Sequence, residues 1–318
     1  MQYRTLGRSG IKVSLLGLGT GGARRLGQIE GLTQTQQNAF IRQALDTGVN
    51  FFDTSEGYGQ SEGILGEALK GVPRDSYVIA TKWQHDGKDG KDPQLSRGAQ
   101  GMAEALENSL KRLRTDHVEV LMFHGIHSTQ YDIISERLLP TMVKLKEQGK
   151  IRLTGFSTRF PQDPGQVAAL KALKQHPLLW DVIELKYGIL NQIAADEALP
   201  LAVKHGVGIV NMAAVRVKLP SPTELERLIA EWKQKGYIAP NSIPDKDPLG
   251  WLVKGDVDSV VSAGYKFAAD HPAISTVLTG TSNPVHLQAN AAALKSTKLP
   301  MADKKRLIEL FSKISEYA

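Results

Sequence analysis

Residues 50–69 read NFFDTSEGYGQSEGILGEAL: an apolar run ending on Asp53, then Tyr58 between two glycines, then a helical pattern. A strand that finishes in a carboxylate needs a partner for that charge, because an unpaired buried carboxylate is costly. Asp and Gly are also ordinary turn residues, so in isolation the stretch reads equally well as a capped loop. The rest of the chain decides, because it repeats the same strand-then-helix unit.

Similar apolar or β-branched runs lie at 14–20, 76–83, 117–124, 151–158, 182–188, 208–214 and 274–281, making eight with 50–55. Most alternate poorly, as strands buried on both faces of a parallel sheet do. Between them, Met102, Leu106, Leu110 and Leu113 recur at helical spacing, as do Leu138, Met142 and Leu145. Gly48, Gly149 and Gly206 each close a helical stretch just before a strand, where a left-handed C-cap favours glycine. Strand starts are 26 to 41 residues apart, except for a last interval of 66 that holds two more helical patterns, 222–236 and roughly 254–270. Units of that size imply parallel pairing through right-handed crossovers. Eight of them predict an α/β fold, a closed (β/α)8 TIM barrel, and no GxGxxG turn follows the first strand to suggest a Rossmann sheet. Residues 1–13 predict a β-hairpin closing the barrel's N-terminal end, and extra helices are expected after strand 7 and at the C-terminus. No linker interrupts the pattern, so residues 1–318 read as one barrel domain.

Composition narrows the function classes. Hydrophobic residues are 41% and charged residues 23% of 318, which is globular composition at barrel size. The 39 basic and 33 acidic residues leave a formal charge of +6, dispersed over sites such as Lys144, Lys146 and Lys150 or Lys304, Lys305 and Arg306. Without a basic stripe interleaved with aromatics, nucleic acid is not an expected partner. The absence of cysteine excludes disulfides, cysteine-ligated zinc and iron–sulfur clusters. The N-terminus carries no apolar signal core and no run reaches membrane-spanning length, so no membrane association and a cytoplasmic location are expected.

Barrel enzymes place their chemistry at the C-terminal ends of strands. Strand 2 ends in Asp53 and leads to Tyr58, strand 3 ends in Lys82, and strand 4 ends in His124. Singly, a strand-end lysine reaches solvent and a lone histidine packs in a core. Four such groups on three consecutive strands point instead to one convergent site. Asp53 would hold Lys82, and the ammonium would favour tyrosinate at Tyr58, lowering a pKa that is ordinarily about 10. Tyr58 would then give a proton to an alkoxide developing from a carbonyl, or take one in reverse, while neutral His124 orients the carbonyl oxygen. None of these groups is a reductant, so a cofactor must supply the hydride. Trp83 and segments 125–135 and 216–256 are expected to wall the substrate pocket.

Over nearly its whole length the chain resembles the aldo-keto reductases. The resemblance rests on TLGRSGIKVSLLGLGT, NFFDTSEGYGQSEGILGEAL, IATKW, LENSLKRLRTDHVEVLMFH, GKIRLTGFST and the late VLTGTSN. It implies a tetrad of Asp53, Tyr58, Lys82 and His124, and an extended nicotinamide cofactor across the rim. The implied cofactor contacts are Gly19, Thr20 and Gly21 under the nicotinamide ribose, and Ser157 at the carboxamide. Thr158 follows where an asparagine is usual. Tyr187 corresponds to a stacking aromatic, Glu184 stands in place of a glutamine, Met212 and Ala213 are further implied contacts, and the usual Ser-Pro after strand 7 reads Ala213-Ala214. At the adenosine end the counterparts are Gly280, Thr281, Ser282 and Asn290, with Ala289 for a glutamate and His286 for an arginine or glutamine. Gly280 and His286 cannot clamp a 2′-phosphate; Arg216, Lys218 or Lys254 would have to supply those cations. A similar Gly-Ala-Ser-Asn run in potassium-channel β subunits, which bind NADP(H), makes NADP(H) the expected cofactor, with NAD(H) a close second and no metal. Small carbonyl compounds, alcohols and sugars are the expected substrates. Two other readings stand beside this one. A cofactor-binding regulatory module like those subunits is one. The other is a metal-dependent barrel hydrolase using Asp53, His124 and His127, against which Lys82 would repel a dication.

Overall fold

In the computed structural model the eight apolar runs close into a barrel; residues 1–22, 24–85, 98–215, 217–296 and 298–314 are described. Two strands outside it, β1 (Tyr3–Thr5) and β2 (Lys12–Ser14), pair antiparallel as the predicted hairpin. The barrel strands are β3 (Leu16–Gly19), β4 (Phe51–Asp53), β5 (Val78–Trp83), β6 (Val118–Ile126), β7 (Ile151–Thr158), β8 (Val182–Lys186), β9 (Gly208–Met212) and β10 (Ile274–Thr279). All eight run parallel in chain order, and β10 returns to pair with β3. The helices are α1 (Gln34–Asp46), α2 (Ser61–Ala68), α3 (Gly98–Leu113), α4 (Tyr131–Arg137), α5 (Leu139–Glu147), α6 (Val167–Gln175) and α7 (Ala198–His205). After β9 come α8 (Pro222–Gln234) and α9 (Val260–Ala269), and after β10 come α10 (Pro284–Ala293) and α11 (Met301–Phe311). The additional helices predicted after strand 7 and at the C-terminus are thus α8 and α11. No helix among the described residues is long and apolar enough to cross a membrane.

Two apolar layers hold this arrangement, and strand parity sorts residues between them. Phe51, Val78, Ala80, Val120, Met122, Leu153, Val182 and Val210 fill the barrel interior together with Leu6 and Val13 of the hairpin. Their neighbours in sequence, such as Phe52, Ile79, Leu121, Ile183 and Ile209, face the helices in a larger outer core. Because side chains alternate along a strand, Lys82 shares the inward face of Val78 and Ala80, and Glu184 that of Val182. Removing a buried aromatic such as Phe51 would cost about 3–5 kcal/mol.

Turn chemistry sets where the units begin. Gly48, Gly149 and Gly206 have φ of 90°, 75° and 65°, the left-handed conformation that ends a helix before the next strand. Thr33 and Ser259 open α1 and α9 with reciprocal capping boxes. At the hairpin end, the Arg4 guanidinium donates to the carbonyls of Ala269, His271 and Ile274, and that of Arg8 to those of Pro177, Leu178, Trp180 and His205. Two arginines thereby bolt the hairpin across the barrel floor, leaving the opposite rim as the open face.

Candidate active site

Register brings the inward-facing polar residues to that rim. Asp53 pairs with Gly19 on one side and Ala80 on the other, Lys82 with Met122, and Ser157 with Glu184. Closure of the sheet then sets Glu184 on β8 opposite β4 and β5. Lys82 Nζ donates to Asp53 Oδ1 and to the Thr54 carbonyl at 3.3 Å, and stands 3.2 Å from Glu184 Oε2. The lysine side chain is fully buried, and each carboxylate side chain is only 4% exposed. Burial works against the ammonium, but Asp53, Glu184 and Tyr58 outweigh it and hold the Lys82 pKa above its ordinary value. Burial also raises both carboxyl groups against the opposing pull of Lys82. Asp53 is the direct hydrogen-bond partner of the ammonium. Glu184, with the negative Asp53 beside it as well, is pushed up to about 8. Sequence reasoning assigned Glu184 to the cofactor and missed its contact with Lys82.

Tyr58 stands over this cluster. Its backbone N–H bonds the Ser55 carbonyl at 3.0 Å, and Gly59, at φ 64°, turns the chain into α2. A Cβ on Gly21 would lie 2.5 Å from the Tyr58 ring, so only glycine lets the β3 loop pass so close. Lys82 Nζ is 5.2 Å from the ring centroid, and the His124 ring meets Tyr58 edge-on at 5.3 Å between centroids. The lysine favours tyrosinate, as expected, but burial dominates and the Tyr58 pKa lies above its ordinary value, not below it. Burial and the Lys82 charge lower the His124 pKa to about 3, which makes the imidazole neutral.

Ser55, two residues beyond Asp53, is a further member that the sequence reading missed. Its hydroxyl is 3.0 Å from His124 Nδ1, bonds the Lys82 carbonyl at 3.2 Å, and accepts from the Gly57 N–H at 3.1 Å. While the hydroxyl proton lies on the Lys82 carbonyl, the imidazole must donate through Nδ1. Nε2, 3.4 Å from the Tyr58 oxygen, is then an acceptor. If the hydroxyl swings its proton onto Nδ1, Nε2 carries the hydrogen and becomes a donor. The Lys82 carbonyl keeps the Glu56 N–H at 3.3 Å in either case.

Other predicted positions divide. The Thr20 N–H bonds the Asp53 carbonyl at 2.8 Å, which ties the Gly19–Gly21 loop to β4. Ser157 Oγ accepts from the Gly125 N–H at 2.8 Å. Thr20 Oγ1 and Thr158 Oγ1 are buried without a hydrogen-bond partner among the described residues. Trp83 does not wall the rim. It lies on the outward parity of β5, 1% exposed, and meets Phe123 edge-on in the outer core. Tyr187 also faces outward, stacked on Phe267 at 5.6 Å, so its ring serves the helix layer and not a cofactor face. Asn211 of β9, buried and unforeseen, bonds both the N–H and the carbonyl of Tyr187 and so fixes the end of β8. Met212 ends β9, where Ala213 takes a left-handed φ of 57°.

At the other end of the rim, Thr281 Oγ1 accepts from the Asn283 N–H, and Asn290 Nδ2 donates to Thr279 Oγ1 at 2.9 Å. A Cβ at Gly280 would meet nothing within 4 Å, and His286 is exposed. Of the cations expected to clamp a 2′-phosphate, Arg216 lies outside the described residues. Lys218 pairs with Glu224 at 3.0 Å and Lys254 with Asp303 at 2.9 Å. Ser282 instead hydrogen-bonds the Glu30 carboxylate at 3.4 Å, and Arg24 also pairs with Glu30. Among the described residues no group of three or more His, Asp or Glu side chains could hold a metal ion.

Comparison with known proteins bears directly on this array. The aldo/keto reductase family model matches residues 15–310, the barrel and its rim together. The chain belongs to this family. L-galactose dehydrogenase of Arabidopsis thaliana is 30% identical over 98% of the chain and 93% of its own length. The NADH-specific methylglyoxal reductase of Escherichia coli is 31% identical over 92% of the chain and 94% of its own length. The aldo-keto reductase AKR11C1 of Bacillus halodurans superposes with a TM-score of 0.73 at 26% identity, covering 99% of this chain and 98% of that one. This aldo/keto reductase is accordingly an NAD(P)-dependent oxidoreductase that interconverts carbonyl compounds and alcohols. The residues present fit a nicotinamide cofactor. A glycine loop passes against Tyr58, within a tetrad that can move a proton but not a hydride.

Proposed function

We propose that the protein interconverts small hydroxylated or oxo-substituted aldehydes, sugars among them, and the corresponding alcohols, with NADH in preference to NADPH. The buried Asp53–Lys82 pair beneath Tyr58, with His124 beside the phenol, is the observation that carries the reading. Bound nicotinamide supplies the hydride in reduction and accepts it in oxidation. Tyr58 gives its phenolic proton to the carbonyl oxygen as that oxygen becomes an alkoxide, and takes it back in the reverse direction. Lys82, held by Asp53, stabilises the tyrosinate that remains. His124 orients the oxygen through Nε2–H once the Ser55 hydroxyl turns to Nδ1.

The substrate class is supported by the two relatives, one acting on L-galactose and the other on methylglyoxal. The cofactor preference departs from the NADP(H) expected on sequence grounds. Lys218 and Lys254 are already paired, Ser282 faces the Glu30 carboxylate, and one relative is NADH-specific. The Glu30 carboxylate can accept from a ribose hydroxyl, and by pairing with Arg24 it occupies that guanidinium as Glu224 and Asp303 occupy Lys218 and Lys254. A panel of aldehydes, hydroxyaldehydes and sugars run with both cofactors tests the reading. Tyr58→Phe is expected to keep cofactor binding and lose turnover by about 10²–10⁴. Full activity of that variant on the best substrate would refute the proton-transfer role.

A further inference from the structure

One lysine in this rim is served by two carboxylates. Lys82 on β5 lies between Asp53 on β4 and Glu184 on β8, all nearly inaccessible to solvent. The strand neighbours in register with Glu184 are Ser157 on β7 and Val210 on β9, neither of which ionises. The ionisable groups that act on Glu184 are Asp53 and Lys82, and Glu184 acts in turn on Tyr58. With both carboxylates ionised the Asp53–Lys82–Glu184 cluster carries one net negative charge; with a proton on one of them it is neutral. Because a buried net charge is costly, that proton is the cheapest one for the site to keep.

We propose that Glu184 is a positioning residue that acts through Lys82. By holding or releasing one proton it switches the buried cluster between neutral and anionic, and so sets the balance between oxidised and reduced cofactor and the ease of ionising Tyr58. This rests on the proton-transfer reading given above. Burial and Asp53 hold the Glu184 proton up to about pH 8, within reach of ordinary assay conditions. In the neutral state Lys82 faces one anion and can support tyrosinate. In the anionic state the second carboxylate opposes tyrosinate but favours the cationic nicotinamide ring of NAD⁺ over the uncharged ring of NADH. A glutamine at this position would be neutral at every pH and could not switch.

The test is Glu184→Gln, which keeps size and shape, with Glu184→Asp as the variant that keeps the charge. Dissociation constants for NADH, by fluorescence, and for NAD⁺, by competition, are measured at about pH 6.5 and about pH 9.5. In the wild type the ratio is expected to move roughly tenfold toward NAD⁺ at the higher pH, as one added buried charge would produce. Glu184→Gln should abolish that movement and Glu184→Asp retain it. The alcohol-oxidation profile should rise at lower pH in Glu184→Gln than in the wild type. A cofactor ratio that is independent of pH in the wild type, or still pH-dependent in Glu184→Gln, overturns the proposal. Should Glu184→Gln fail to fold, Glu184→Leu, which also lacks the ionisable proton, takes its place, and a ratio still pH-dependent in it overturns the proposal. Failure of the Tyr58 reading shows separately, as full turnover in Tyr58→Phe, and leaves the binding ratios untouched.

Discussion

Replacing Lys82 with methionine deletes a buried charge while keeping most of the side chain's reach. Nζ stands 5.2 Å from the Tyr58 ring centroid. At an effective dielectric of about 20, a unit charge at that distance is worth about 3 kcal/mol to a tyrosinate. That corresponds to about two pH units in phenol ionisation. The Tyr58 pKa is already raised by burial, and removal of the ammonium raises it further. Alcohol oxidation needs the ionised phenol, so below the new pKa it should fall about 10²-fold, with its rising limb displaced to higher pH. Stability should respond with a definite sign. An acid whose folded pKa is raised destabilises the fold as pH climbs from its unfolded value to its folded one. Without Lys82, Asp53 and Glu184 lose their shared counter-charge, so the penalty should appear on going from about pH 5 to about pH 9. It could reach about 3–5 kcal/mol, the cost of breaking a buried pair. Steady-state oxidation measured across this range, with urea unfolding at each end, checks both effects. An unchanged pH profile in a folded Lys82→Met protein would mean that Lys82 does not tune Tyr58.

Two further outcomes follow from the same geometry. Ser55→Ala removes the oxygen beside His124 Nδ1, so kcat should fall about 3–10-fold, the worth of one hydrogen bond, with little change in KM. The ¹⁵N shifts of His124 should show an altered tautomer balance, and an unaltered balance would remove Ser55 from the site. Glu30→Gln should improve NADPH binding relative to NADH by about tenfold at low salt, with the gain shrinking as salt rises. Equal effects on the two cofactors, read by fluorescence titration, would show that Glu30 does not face the ribose.

Much of the site was legible along the chain because strand-end chemistry is local. Asp53, Lys82 and His124 each close a buried run, and the strand-and-helix period makes those runs neighbours in one parallel sheet. The glycine pair around Tyr58 likewise marks a turn from its own residues. Strand parity was legible too, although the pocket and cofactor roles expected of Trp83 and Tyr187 ran against it. With Lys82 inward, Trp83 had to face the helices, and with Glu184 inward so did Tyr187.

Other features needed the closed barrel. Glu184 is 102 residues from Lys82 and reaches it only because the sheet curls back on itself, placing β8 across from β5. Ser55 meets His124 across 69 residues for a similar reason. The direction of the Tyr58 shift depended on how much water the fold removes. A charge partner can be inferred from residue types, whereas desolvation is a property of the packed volume. The fate of Lys254 was decided in the same way, since Asp303, 49 residues away, claims it through a contact that only the folded chain makes. Residue order thus determined which chemical groups line the rim. The tertiary structure decided their charge states and partners, because both depend on distances and solvent exclusion between segments remote in sequence.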